Sequence, residues 1–92
     1  TDLCAVSLGA CASLIMRMFA DGQGIPVRGI SFELVKDMAA EPRRIKSITV
    51  DFKIDSDCSE ADFKRIEDAG RSCPVCLTLG DRVNIVASYR RA

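Results

Sequence analysis

Residues 2–20 read DLCAVSLGACASLIMRMFA, and this stretch carries the strongest structural signal in the chain. At the roughly 100° per residue of an α-helix, five apolar side chains fall close to one line along it. These side chains are Cys4, Leu8, Cys11, Ile15 and Met18. Polar residues interrupt the remaining surface sparsely, and a helix that is apolar nearly all round is typically buried. We therefore expect a long buried helix that ends before the glycines and the proline of residues 22–26.

The next two segments have the alternating pattern of β-strands. The clearest alternation runs over residues 45–55, and a weaker one runs over residues 27–37. In the strand of residues 45–55, the inward-facing side chains would be Ile48, Val50, Phe52 and Ile54. In the strand of residues 27–37, they would be Ile30, Phe32 and Leu34. Polar residues occupy the other face of residues 45–55. This is typical of an antiparallel sheet with one side in water.

The remainder of the chain predicts two helices and a last strand. A helix over residues 59–69 begins at the pair Ser59 and Asp62, whose spacing approximates a capping box. A short helix follows Cys73, and a strand covers residues 82–90. The inward-facing residues of that strand would be Val83, Ile85, Ala87 and Tyr89. The expected order is helix, strand, strand, helix, short helix, strand, which is an α+β fold in a single domain of 92 residues.

Charge and cysteine content narrow the range of functions. Thirteen basic and thirteen acidic residues cancel, which argues against nucleic acid as a partner. The uncharged run from Leu3 to Met16 is shorter than the roughly twenty residues that span a membrane, so we expect no membrane association. Five cysteines fit poorly with a closed disulfide framework and favour a reducing, cytoplasmic compartment. The sequence has no histidine, which excludes histidine-activated nucleophiles and histidine-containing zinc sites.

Cys11 and Cys73 are the two cysteines whose positions best suit chemistry. Cys11 lies at the centre of the first helix, where a free cysteine is also a common small core residue. Cys73 precedes Pro74 at the expected start of the short helix, and helix starts favour thiolates. The alternative for Cys73 is an ordinary helix cap. The residues alone leave both alternatives open.

Cys76 completes a C-x-x-C sequence with Cys73. This spacing can form a redox disulfide or supply half of a metal site, although here it joins two helices rather than following a strand. Neighbouring leucines favour a core position for Cys76, and we expect Cys4 in the core as well. Cys58 lies in a polar stretch and is expected to be exposed. A thiolate metal site that uses Cys73 and Cys76 with Cys11 or Cys4 is a further hypothesis.

Three motifs in combination resemble those of the OsmC/Ohr family. The long helix contains SLGACAS at residues 7–13, a glycine-rich stop reads GIPVRGI at residues 24–30, and Cys73-Pro74-Val75 precedes the last strand. The resemblance covers residues 3–89, and the two cysteine motifs are specific as a pair rather than singly. It implies an OsmC-like fold in an intertwined dimer. This chain would supply the C-terminal two-thirds of the usual family domain.

The resemblance also implies a function, the thiol-dependent reduction of organic hydroperoxides. Cys11 would be the peroxidatic thiol, which is oxidised to a sulfenic acid, and Cys73 would resolve that acid by forming a disulfide. A small dithiol or a lipoyl-type protein would be the reductant, and each site would lie at the homodimer interface. No cofactor and no metal ion are implied. The apolar surroundings expected for Cys11 favour a hydrophobic peroxide over hydrogen peroxide.

The chain departs from the family pattern in three respects. It shows no N-terminal strand meander ahead of the long helix. It also shows no clear counterpart of the family's arginine and glutamate, which stabilise the peroxidatic thiolate; Arg71 and Arg82, which flank the Cys73 segment, are candidate replacements. Cys76 offers Cys73 a second disulfide partner. These departures keep open an alternative function, that of an OsmC-like protein that binds a ligand or a partner without catalysis.

Overall fold

The computed structural model describes residues 2–40, 44–80 and 83–91. Within these ranges, three helices and three strands follow one another in the predicted order. They are α1 (Asp2–Gly22), β1 (Gly29–Ala39), β2 (Arg44–Asp55), α2 (Glu60–Arg71), α3 (Pro74–Leu79) and β3 (Asn84–Arg91). The α+β class and the element order expected from the sequence are confirmed.

The three strands form one mixed sheet in the order β1-β2-β3. β1 and β2 form an antiparallel pair in which Phe32 lies opposite Phe52. β3 pairs in parallel with the other edge of β2, and Tyr89 lies opposite Phe52. The expected antiparallel sheet is therefore correct for the first pair and wrong for the second. The reason is the connection, because α2 and α3 carry the chain back so that β3 starts at the same end as β2.

One face of this sheet builds the core. The residues of β2 that were predicted to face inward are all buried, namely Ile48, Val50, Phe52 and Ile54. The residues between them are more accessible, as the alternation of a strand requires. The Phe52 ring stacks on Tyr89 at 5.0 Å between centroids and lies 6.0 Å from the Phe32 ring. A row of aromatic rings therefore crosses all three strands.

Small side chains bring α1 close to its neighbours. The buried residues of α1 are Ala5, Leu8, Gly9, Ala12, Met16 and Ala20. Gly9 allows the closest approach, because a Cβ atom there would overlap the Phe32 ring. The predicted apolar line is displaced, since Cys11 is partly buried but Met18 is 60% exposed. Alanine and glycine add little to a hydrophobic pattern, so the pattern indicated a line beside the true buried face.

The opposite side of α1 is apolar but exposed. Its large exposed side chains are Leu3, Val6, Leu14 and Met18. The sequence predicted that this helix is buried on all sides. In the single chain it is buried on one side only. At 21 residues, α1 is also long and apolar enough to cross a membrane, a property that it shares with core helices of soluble proteins. One side of α1 packs against β1, α2 and α3.

α2 positions the segment that carries Cys73. Ser59 caps this helix, since its side chain accepts a hydrogen bond from the Asp62 N–H, as the capping-box spacing predicted. At the other end of α2, Gly70 lies against the Met16 side chain of α1. This close approach places the last turn of α2, and the residues that follow it, beside α1.

Candidate active site

The two predicted site cysteines lie on helices that pack against each other. Cys11 is in the middle of α1 and is partly buried, whereas Cys73 is the N-cap of α3 and is fully buried. Cys76 lies one turn into α3 and is partly buried. All three are free thiols. α1 and α3 are in contact, and Cys11 and Cys76 both pack against the core that contains Cys73.

Cys73 and Cys76 are in direct contact. Their sulfur atoms are 2.8 Å apart, and the Cys76 backbone N–H donates a hydrogen bond of 3.4 Å to the Cys73 sulfur. This hydrogen bond makes Cys73 a helix cap, as predicted. A small movement would bring the two sulfurs to the ~2.05 Å of a disulfide bond.

Cys76 is held in its protonated form. Burial raises the pKa of this thiol to about 12, and both the contact with Cys73 and the proximity of Cys11 act in the same direction. Cys11 can influence Cys76 in this way only if the two thiols are near each other. Cys73 and Cys76 are in contact, and Cys11 acts on Cys76 electrostatically from the neighbouring helix; we call these three residues the thiol cluster.

An apolar pocket opens beside Cys76, which is the member of the thiol cluster that lines it. It has a volume of about 190 Å³, which is small compared with the ~300–1,000 Å³ typical of sites for drug-sized ligands. Its apolar lining comes from α1, β2 and β3 and consists of Leu8, Ala12, Val50, Phe52, Ile85 and Ala87. Arg71, Cys76 and Tyr89 add polar groups to the wall. A few polar groups converging on an apolar cavity are the usual form of a small-molecule site.

Arg71 brings a positive charge to this pocket. Its guanidinium donates a hydrogen bond of 2.8 Å to Glu67 and lies 4.8 Å from the centroid of the Tyr89 ring. The hydrogen bond to Glu67 raises the pKa of Arg71, so the group keeps its charge. Of the two arginines predicted as candidates, Arg71 lines the pocket, and Arg82 lies outside the described residues.

Two residues of this site were not identified from the sequence. Tyr89 was predicted only as an inward-facing residue of its strand, and Glu67 was not singled out. Burial raises the pKa of Tyr89 to about 12, so its phenol is neutral at physiological pH. Glu67 could have been found, because it precedes Arg71 by four residues on a predicted helix. No local signal connects Tyr89 to the cysteines.

The two remaining cysteines have other surroundings. Cys4 is partly buried near the start of α1. Cys58 is also partly buried rather than exposed as predicted, because Arg91 folds over this turn and donates hydrogen bonds to the carbonyl oxygens of Ser56 and Cys58. In residues 2–40, 44–80 and 83–91, no three Cys, Asp or Glu side chains are arranged to hold a metal ion. The metal-site hypothesis therefore finds no support there.

Comparison with known proteins agrees with the fold. The family model described as OsmC-like protein matches residues 1–88, whereas no curated protein sequence matches. A solved structure from Psychrobacter arcticus, named for osmotic stress induction and a detoxification response, is 25% identical with a TM-score of 0.87. That match covers 96% of this chain and 64% of the other.

Two further solved structures have lower identity and show the same fold. An organic hydroperoxide resistance protein OsmC of Legionella pneumophila is 18% identical, covers 97% of this chain and 66% of its own, and has a TM-score of 0.80. The organic hydroperoxide resistance protein OhrB of Bacillus subtilis is 16% identical, covers 95% of this chain and 66% of its own, and has a TM-score of 0.71.

The fold and the site define a small α+β protein with a thiol cluster beside an apolar pocket. The chain belongs to the OsmC-like protein family, because the family model spans nearly its whole length. The resemblance inferred from the sequence motifs is thus confirmed. The chain spans 64% to 66% of the length of the three solved relatives named above. That it represents the C-terminal two-thirds of a family domain stays a prediction.

Proposed function

We propose that this protein reduces organic hydroperoxides with a cysteine thiol. The observation that carries the proposal is the thiol cluster beside an apolar pocket that also contains Arg71. Peroxide reduction of this kind needs a reactive thiolate, a second thiol to form a disulfide, and a cavity for the organic group. Membership of a family whose solved members include proteins named for organic hydroperoxide resistance supports the proposal.

Cys11 is the proposed attacking thiol. Its thiolate attacks one oxygen of the hydroperoxide, so that an S–O bond forms and the O–O bond breaks. The alkoxide takes up a proton and leaves as the alcohol. The resulting sulfenic acid condenses with the Cys73 thiol, water leaves, and a Cys11–Cys73 disulfide remains. A dithiol reductant, either a small molecule or a lipoyl-type protein, restores both thiols.

Arg71 is the proposed electrostatic partner of this reaction. Negative charge moves from the thiolate sulfur to the leaving oxygen during the attack, and a fixed cation nearby stabilises that charge. Glu67 and Tyr89 fix the guanidinium at the wall of the pocket. The Arg71 side chain is 50% exposed, so dissolved salt weakens its effect.

A second copy of the chain is the proposed partner of the exposed side of α1. Leu3 and Leu14 on that side are 86% and 59% exposed, and Met18 joins them. Clustered apolar side chains in water mark interaction surfaces. Pairing through this surface would give α1 the burial that its composition predicts. A reducing compartment such as the cytoplasm would supply the reduced thiols from which the cycle starts.

Replacement of Cys11 by serine tests the proposal. We expect Cys11→Ser to abolish the consumption of cumene hydroperoxide in the presence of dihydrolipoate, because the sulfur nucleophile is lost. Cys4→Ser removes a thiol from the same helix and is the matched control, which should keep full activity. Intact mass after alkylation would count the thiols before and after one equivalent of peroxide. Full activity of Cys11→Ser would show that the attacking thiol lies elsewhere.

A second candidate function is the binding of an apolar ligand without catalysis. The mostly apolar lining of the pocket favours it, and the ion pair of Arg71 with Glu67 offsets the charge that a thiolate would use. Under this alternative, all five thiols would still react with an alkylating agent when the protein is denatured minutes after the addition of peroxide. The thiol count therefore separates the two functions.

A further inference from the structure

Cys76 has no role in the two-thiol cycle proposed above, although it contacts Cys73 directly. The two sulfurs are 2.8 Å apart. Cys76 also lines the pocket, whereas Cys73 is 0% exposed. Cys76 is thus a second disulfide partner for Cys73. Of the two partners, Cys11 and Cys76, it is Cys76 that lines the pocket.

We propose that Cys76 takes over the disulfide from Cys11 and presents it to the reductant. The inference rests on the proposed function, because the Cys11–Cys73 disulfide is its starting point. The Cys76 thiol gives up its proton and attacks the Cys73 sulfur, so that a Cys73–Cys76 bond forms and the Cys11–Cys73 bond breaks. The electron pair leaves on the Cys11 sulfur, which takes up the proton released by Cys76 and is restored as a thiol. The exchange consumes no oxidant beyond the organic hydroperoxide that formed the first disulfide.

Access to the sulfurs gives this transfer its value. Thiol–disulfide exchange requires the attacking thiol to reach one sulfur of the disulfide. Both disulfides contain the Cys73 sulfur, which is enclosed by the core, so they differ in its partner. Cys11 is not among the residues that line the pocket. After the transfer, the disulfide includes the Cys76 sulfur at the pocket wall. A small dithiol that enters the pocket then meets the oxidised sulfur directly.

The surroundings of Cys76 change when the first disulfide forms. In the reduced protein, burial, Cys73 and Cys11 all raise the pKa of Cys76. A Cys11–Cys73 bond removes both of these thiols as charged or hydrogen-bonding groups, whereas burial, which is the largest cause, remains. Arg71 of α2 and Tyr89 of β3 are the other ionisable groups in the wall of the pocket. Formation of the first disulfide therefore removes the two smaller contributions that keep Cys76 protonated.

Tryptic digestion can distinguish the two disulfides. Cleavage after arginine places Cys73 and Cys76 together on the peptide of residues 72–82, and it places Cys11 on the peptide of residues 1–17. A Cys73–Cys76 bond makes the peptide of residues 72–82 lighter, by two hydrogens, than the same peptide with two free thiols. A Cys11–Cys73 bond instead links the two peptides.

The experiment follows both species over time. The protein with Cys4→Ser, in which Cys11 is the sole thiol of its peptide, is treated with one equivalent of cumene hydroperoxide, quenched with acid and alkylated. We expect the linked peptides first, and the lighter peptide to replace them. With Cys76→Ser added, the linked peptides should persist, and dithiothreitol should reduce them about tenfold more slowly. Cys58→Ser is the matched control and should behave as the parent protein does.

Different results would overturn different parts of this scheme. Linked peptides that persist in the parent protein would exclude the transfer but leave the proposed peroxidase function standing. A lighter peptide that forms equally fast in Cys11→Ser would mean that peroxide oxidises the Cys73–Cys76 pair directly. If Cys11 is never oxidised in any variant, the proposed function fails, and the inference fails with it.

Discussion

At the scale of single residues, the position of Arg71 sets the charge of the pocket. Glu67 holds its guanidinium through a hydrogen bond, and the guanidinium also lies 4.8 Å from the centroid of the Tyr89 ring. A lysine could reproduce neither the planar stacking nor the directed hydrogen bond of the guanidinium. A charge that is already fixed before the reaction stabilises a transition state without reorganisation.

We expect Arg71→Gln to slow the oxidation of Cys11 by cumene hydroperoxide about tenfold, because an interaction with a charged group contributes roughly 1.5 kcal/mol. Arg71→Lys should fall between this variant and the parent. Timed alkylation at low and high salt measures the rate. Arg17→Gln is the control, since Arg17 pairs with Asp21 on an exposed part of α1. An unchanged rate in a correctly folded Arg71→Gln protein would remove Arg71 from the mechanism.

The sequence identified the cysteines of the site more completely than the groups around them. A helix pattern and Pro74 suffice to place Cys73 at a helix start, because both are local signals. The pairing of Glu67 with Arg71 is local as well and follows from their spacing. The position of Arg71 over Tyr89 depends on how α2 packs beside β3, and no local pattern encodes that contact.

At the scale of elements, the packing of α1 depends on its smallest residues. The Phe32 ring of β1 occupies the space that a Cβ atom of Gly9 would need. Ala5 and Ala12 continue the same close-packed side of the helix. A hydrophobic pattern gives such residues little weight, which is why the sequence predicted a buried helix but misplaced its buried face.

We expect Gly9→Ala to lower the free energy of unfolding by about 1–2 kcal/mol, even though alanine favours helices by about 1 kcal/mol over glycine. The new methyl group would overlap the Phe32 ring, so the ring or the helix must shift. Urea denaturation followed by circular dichroism measures the change. Gly22→Ala, where the space is open, is the control and should not destabilise the protein. A more stable Gly9→Ala protein would mean that the Phe32 ring moves aside at no cost.

The direction of β3 was a second error at the scale of elements. Alternation predicts which side chains share a face of a strand, and the inward-facing residues of β2 and β3 were predicted correctly. Alternation does not encode strand direction. The sequence did contain a signal for it, since a connection made of two helices is long enough for a parallel crossover.

At the scale of the whole molecule, the single chain has an apolar surface on the outer side of α1. Its exposed residues belong to the same helix that carries Cys11. A domain of this size buries a smaller share of its surface than a larger one, so covering this surface would add to its stability.

We expect the protein to be a homodimer in solution and Leu14→Glu to shift it toward the monomer, because a buried unpaired charge is costly. Sedimentation velocity over a range of concentrations measures the association. Thr49→Glu, at an exposed position on the outer face of β2, is the control and should leave the dimer intact. A parent protein that stays monomeric at high concentration would contradict this assignment of the surface.

The row of aromatic rings across the sheet ends at a residue that can be observed on its own. Tyr89 is the single tyrosine of the chain, and the sequence has no tryptophan. Its ring stacks on Phe52, lies under the Arg71 guanidinium and shares the pocket wall with Cys76. Tyrosine fluorescence therefore originates from one position, and that position is the pocket. The unlabelled protein thus contains its own optical probe, through which ligand entry and thiol oxidation can be followed without emission from other sites.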